Sequence, residues 1–169
     1  MKWTMEGNRG LLYVRVMRTP SAVIYGSDYV FEIGKGHVLR ESADDRAVIV
    51  SSGRGVHEAL AAAELCKRDG FSVGVVDMPS IDEDLLVRLC ESSRLVCLAE
   101  QNNGFILQHL LRILYRRGAG GGASRTLAIN TLDAAGKPQF IHSGTYEELT
   151  HAFGLTPPQI AGAIKARVG

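Results

Sequence analysis

Two arginines three residues apart in "LLYVRVMRTP", Arg15 and Arg18, a "GRG" turn at 53–55 and an acid, Glu100, followed by "QNNG" are the places in this sequence where residue type and spacing could do chemistry. Alternation along a strand puts Tyr13, Arg15 and Met17 on one face and Leu12, Val14 and Val16 on the other. Arg15 is then displayed, and Arg18 lies where Thr19 and Pro20 end the strand. Two guanidiniums near a strand end can clamp a phosphate through paired charge-assisted hydrogen bonds. Solvated strand-end charges are the plainer reading of the same residues.

The "GRG" of Gly53 to Gly55 follows an apolar run and opens a helical one, where a phosphate can meet backbone N–H groups. A dinucleotide fingerprint needs a third glycine, and Glu58 stands there instead. Close packing of a strand on a helix needs glycines too. "GKG" at 34–36 lacks the upstream glycine of a phosphate-binding loop and precedes no strong strand. Glu100 suits either an acid returning to water at a strand end or a contact across an interface, with Asn103 beside it on the same rim. Cys66, Cys90 and Cys97 sit in apolar periodic segments without a CxxC pair, which predicts buried thiols. The five histidines are dispersed, with no ligand spacing for a metal.

These residues need elements to hold them. From Ala47 onward short β-branched runs alternate with helical periods, the mark of a mostly parallel sheet covered by helices. Strands are expected at 47–51, 72–77, 94–100 and 126–130. "RGVHEALAAAELCKRDG" reads as the best helix, stopped at Gly70. Ser80 and Glu83 fit a capping box for a second helix. "NGFILQHLLRILYRRG" is apolar over most of its circumference and should be largely covered. "GAGGGAS" at 118–124 reads as a flexible surface loop. Thr145 with Glu148, and Thr156 with Pro157 and Gln159, start two last helices. Right-handed crossovers then give a three-layer α/β/α domain, with ligands expected at the strands' carboxyl ends: Ser51 to Gly55, Asp77 to Ser80 and Glu100 to Gly104.

Composition narrows the function. The chain has 169 residues, 46% hydrophobic and 22% charged, with a formal charge of +1. That is the balance of one globular domain without the cationic footprint of a nucleic-acid or anionic-membrane binder. No apolar stretch approaches a bilayer span and the start lacks a signal-peptide core, so a cytoplasmic protein is expected.

The order of segments "YVRVMR", "FEIGKGHVLRESADDRAVIVSSGRGVHEALAAAELCKRDGFSVGVVDMPSIDEDLLVRLCESSRLVCLAEQNNG" and "FIHSGTYEELTHAFGLTPPQIAGAIKA" resembles the C-terminal region of the transketolase family of thiamine-diphosphate enzymes. That family includes deoxyxylulose-phosphate synthase and the β subunits of 2-oxoacid dehydrogenases. By the resemblance, residues 1–25 look like the closing strand of a pyrimidine-binding domain, 26–44 like a linker, and 45–169 like the C-terminal domain. The resemblance implies that Arg15 and Arg18 bind the phosphate of a sugar substrate, and that Gly53, Gly55, Glu100 and Asn103 belong to a rim or interface.

The departures matter as much. The family's Gly-Asp-Gly stretch with its downstream Asn pair is absent, and the Glu that activates the cofactor would lie upstream. "MPSIDEDLL" differs from the Lys-Pro-Leu-Asp of relatives. The implied protein is a component without catalytic or cofactor-binding residues of its own. Thiamine diphosphate and a divalent metal are then expected only in an assembled enzyme, together with a chain or domains carrying the diphosphate- and pyrimidine-binding parts, as a homo-oligomer acting on a phosphorylated small molecule. A non-catalytic scaffold, or a part of a 2-oxoacid dehydrogenase or synthase, is the alternative.

Overall fold

A computed structural model of the chain describes residues 6–7, 10–11, 13, 20–92 and 94–169. Arg15 and Arg18, the expected phosphate clamp, lie outside the described residues.

The four expected strands form at Asp45–Ser51 (β2), Ser72–Asp77 (β3), Leu95–Ala99 (β4) and Thr126–Ile129 (β5), behind a first strand at His37–Arg40 (β1). Their order across one sheet is β1-β3-β2-β4-β5. The last four strands are mutually parallel, and β1 joins antiparallel to β3 at the edge. The "GKG" at 34–36 therefore does lead into a strand. "HVLR" is too short and too mixed to show a period, and only its ladder with β3 makes it one.

Helices Gly55–Arg68 (α1), Glu83–Glu91 (α2), Phe105–Arg116 (α3), Tyr146–Ala152 (α4) and Pro157–Val168 (α5) cover the sheet. Period-2 alternation divides the strand residues between two cores. Ala47, Ile49, Val73, Val75 and Cys97 pack with Ala59, Ala63, Ile160 and Ile164 of α1 and α5. Val48, Val50, Val76, Val96 and Leu98 pack with Leu86, Ile106, Leu110 and Ile113 of α2 and α3. The near-continuous apolar strands follow from burial on both faces. This is the expected three-layer α/β fold with a mostly parallel sheet.

Three local expectations change. The cap of α2 is Asp82, whose carboxylate accepts from the Leu85 N–H at 2.9 Å. Ser80 instead accepts from the Gly34 N–H at 2.8 Å and ties the "GKG" turn to the sheet. The glycine-rich run is a 3-10 turn, Gly120–Arg125, laid against α2 so closely that a Cβ on Gly122 would meet Cys90 Cβ at 2.8 Å. Its glycines provide close approach. Helix α3, expected to be largely covered, keeps Phe105, Leu111 and Tyr115 exposed. The capping box of Thr145 and Glu148 forms as expected, and all three cysteines are buried.

Candidate functional site

In an open sheet the natural ligand crevice lies outside the carboxyl ends of the strands where the chain reverses its direction of winding. Here β3 lies on one side of β2 and β4 on the other, so the reversal falls between β2 and β4. Ser51, Gly53 and Gly55 arrive there from β2, and Glu100 and Asn103 from β4.

The crevice is drawn tight by its own residues. Ser51 Oγ, fully buried, donates to the Ala99 carbonyl at 2.6 Å, bridging the two strands. A Cβ on Gly55 would meet that Oγ at 2.5 Å, so glycine is required for α1 to start here. The close-packing reading of the "GRG" turn holds at Gly55, whereas Gly53 has open space around it and is set by its left-handed φ of 56°.

Glu100 does not return to water. It is 1% exposed, and its carboxylate accepts from the N–H groups of Ile106 at 2.6 Å and Leu107 at 3.0 Å, in the first turn of α3. Burial pushes this carboxyl above its ordinary value, and the two backbone donors oppose that rise. Gly104 begins the helix in the left-handed region, at φ 70°, and the Asn102 side chain accepts from the Phe105 N–H at 2.9 Å. Asn103 Oδ1 accepts from Thr131 Oγ1 at 2.8 Å, which joins the β4 turn to the segment after β5. Both residues therefore organise the rim.

Two clusters escaped the sequence reading. In the first, the Arg54 guanidinium lies 3.5 Å from the centre of the Tyr146 ring. The Tyr146 hydroxyl donates to Glu58 at 2.6 Å and accepts from Gln101 Nε2 at 2.5 Å. Burial, then the hydrogen bond to Glu58, pushes the phenol up to about 12. This cluster pins α4 across the mouth of the crevice. A cavity of about 330 Å³ remains behind it, lined by Gln101, Thr131, Ile141, Tyr146 and Phe153. No local signal marks a contact between residues 54, 101 and 146.

The second cluster caps β3. Tyr25 donates to Asp77 Oδ2 at 2.6 Å and stacks on Tyr29 with ring centres 3.9 Å apart. The Tyr29 hydroxyl lies 3.0 Å from His37 Nε2. Asp77 is 7% exposed, and its Oδ1 has no hydrogen-bond partner among the described residues. Burial raises the Asp77 carboxyl, against the Tyr25 hydrogen bond and the nearby His37, and burial likewise raises the Tyr25 phenol.

The family model described as transketolase, C-terminal domain, matches residues 34–160. The chain belongs to the transketolase C-terminal domain family. Transketolase of Rattus norvegicus is 27% identical over 95% of this chain and 25% of its own length. Transketolase-like protein 2 of Mus musculus is 30% identical over the same shares, 95% and 25%. Among solved structures, an inactive β4 tetramer of a split-gene transketolase matches with a TM-score of 0.73 and 24% identity, covering 89% of this chain and 48% of that one. Transketolase of Campylobacter jejuni subsp. jejuni matches with a TM-score of 0.57 and 19% identity, over 78% of this chain and 18% of its own. At those identities the structures support the fold.

This transketolase C-terminal domain spans about a quarter of the curated relatives it matches, 25% for the rat protein. Among the described residues the rim offers neither a metal-ligand cluster nor an uncovered helix start. No three His, Cys, Asp or Glu side chains among them converge to hold an ion. The amino end of α1, where a diphosphate would meet free N–H groups, carries Glu58 in its first turn and has Tyr146 drawn across it. No described helix is long and apolar enough to cross a membrane.

Proposed function

We propose that this chain is the C-terminal component of a transketolase-type enzyme, which transfers a two-carbon ketol unit between phosphorylated sugars once assembled with the diphosphate- and pyrimidine-binding parts. The cofactor and its metal belong to those parts, and this chain contributes no group that activates them. Membership in the transketolase family, with matches across 95% of the chain, carries the reading. A cytoplasmic setting and a homo-oligomer go with it; the split-gene relative is described as a tetramer.

The surface supports assembly. Val23, Val30, Phe31 and Ile33, within one stretch ahead of β1, are exposed, as are Phe105, Leu111 and Tyr115 on α3. Apolar side chains gathered in this way mark surfaces that another part covers. Residues 1–25 are assigned to the closing strand of a pyrimidine-binding domain, with Arg15 and Arg18 gripping the substrate phosphate.

The test is to co-express the chain with the product encoded beside it and to assay ketol transfer with and without thiamine diphosphate. Cofactor-dependent turnover by the complex is expected, and a tight complex without cofactor dependence overturns the reading. In that complex Arg15→Ala should raise KM for a phosphorylated donor at least about tenfold while leaving assembly intact, the loss expected for a charge-assisted contact. An unchanged KM removes Arg15 from the site.

A further inference from the structure

The opposite end of the sheet holds a second concentration of charge. Register aligns it: Ala47 pairs with Leu95, and Val96 pairs with Thr126. One residue back along each strand, Arg46 stands level with Arg94 and Arg125 level with Leu95, so the three arginines lie within one residue of the line where the adjacent parallel strands β2, β4 and β5 begin. With neighbouring strands about 4.8 Å apart, the row spans about 10 Å. Arg167, in the last turn of α5, closes the row from the helical layer, and all four line one cavity of about 510 Å³.

The cations outnumber their local counter-charges. Asp45 lines the same cavity, but its carboxylate accepts from the Ser42 N–H at 2.7 Å and the Ser72 hydroxyl at 2.6 Å. Arg94 reaches Glu41 at 3.3 Å. Arg46 donates to the Val168 carbonyl, and Arg125 donates to the Cys90 carbonyl at 3.2 Å, neither of which cancels charge. The Arg167 guanidinium makes no hydrogen bond or ion pair with the described residues. Among the residues that line the cavity, four guanidiniums face one carboxylate.

Like charges gathered on one wall repel, and water screens them only in part. A ligand that carries several negative charges and fits the cavity relieves that repulsion, and guanidinium forks bind phosphoryl oxygens in pairs. We propose that the row of Arg46, Arg94 and Arg125, closed by Arg167, is a binding site for a small ligand bearing two phosphoryl groups. The strands rise about 3.3 Å per residue, so this site lies about 20 Å from the carboxyl rim and can be filled independently of it.

The test is calorimetric titration of the full chain with pyrophosphate, inorganic phosphate and citrate at 150 mM salt. Saturable one-to-one binding of pyrophosphate is expected, at least about tenfold tighter than inorganic phosphate or citrate. Arg125→Gln and Arg167→Gln, made together, should weaken it at least about tenfold with the far-ultraviolet circular dichroism and thermal midpoint retained. Arg116→Gln, in the opposite helical layer from α5 and paired with Glu83, should leave it unchanged. No binding at 150 mM salt, equal affinity for citrate, or equal loss in the Arg116 variant overturns the proposal. Should the double variant misfold, Arg167→Gln alone decides, because that side chain has no bond to lose among the described residues.

Discussion

The Glu100 carboxylate is out of water, yet both its oxygens are engaged by N–H groups that α3 cannot satisfy within itself. Removing it leaves two donors and the positive helix end without a partner. Glu100→Ala should lower the free energy of unfolding by about 2–3 kcal/mol in urea melts, the cost of buried bonds to a charged acceptor. Asp77 is different, because one of its oxygens has no partner among the described residues. Burial lifts its carboxyl above the ordinary 3.8, so between that value and its folded one the native state holds a proton that the unfolded state has released. Stability attributable to Asp77 therefore falls as pH rises through that window. Urea midpoints measured from pH 3.5 to 7 should show wild type losing ground to Asp77→Asn as pH increases, whereas parallel curves would remove this role from Asp77.

At the scale of elements, the fold depends on how β2 hands the chain to α1. The Ser51 hydroxyl occupies the space that any side chain at 55 would need. Gly55→Ala should cost about 1–3 kcal/mol by overpacking. Ser51→Ala removes the clashing oxygen, so the double variant should be less destabilised than the two single effects added together, as denaturant melts in a double-mutant cycle would measure. The glycine-rich turn after α3 shows the same physics at Gly122. In both places the sequence displays glycine, and only the neighbouring side chain shows that the space has already been filled.

For the molecule as a whole, the exposed apolar side chains ahead of β1 set the next expectation. Phe31→Asp combined with Ile33→Asp should abolish co-purification with the partner chain while leaving the thermal midpoint of the isolated domain within a few degrees of wild type. These residues lie outside both cores. A retained complex would move the assembly surface elsewhere, to the flank of α3 among other places. The domain divides its labours by end: the carboxyl rim is closed by Tyr146 and its partners, while the amino end is left open and cationic.

Four of the five strands and the covering helices were legible in the sequence. β2, β3 and β4 are apolar on both faces, and α1, α4 and α5 carry their start or stop signals in local residues, so neighbours along the chain suffice to specify them. The sequence also placed Gly55 at the strand-to-helix join, and the Ser51 hydroxyl in the fold shows why no side chain fits there. The tertiary structure alone decided that His37–Arg40 is a strand, because its backbone finds β3 some forty residues away. It likewise decided that Glu100 is a helix anchor and that Arg54, Glu58, Gln101 and Tyr146 form one cluster. Periodicity reports which side of an element is buried; it carries no information about which distant side chain will be waiting there.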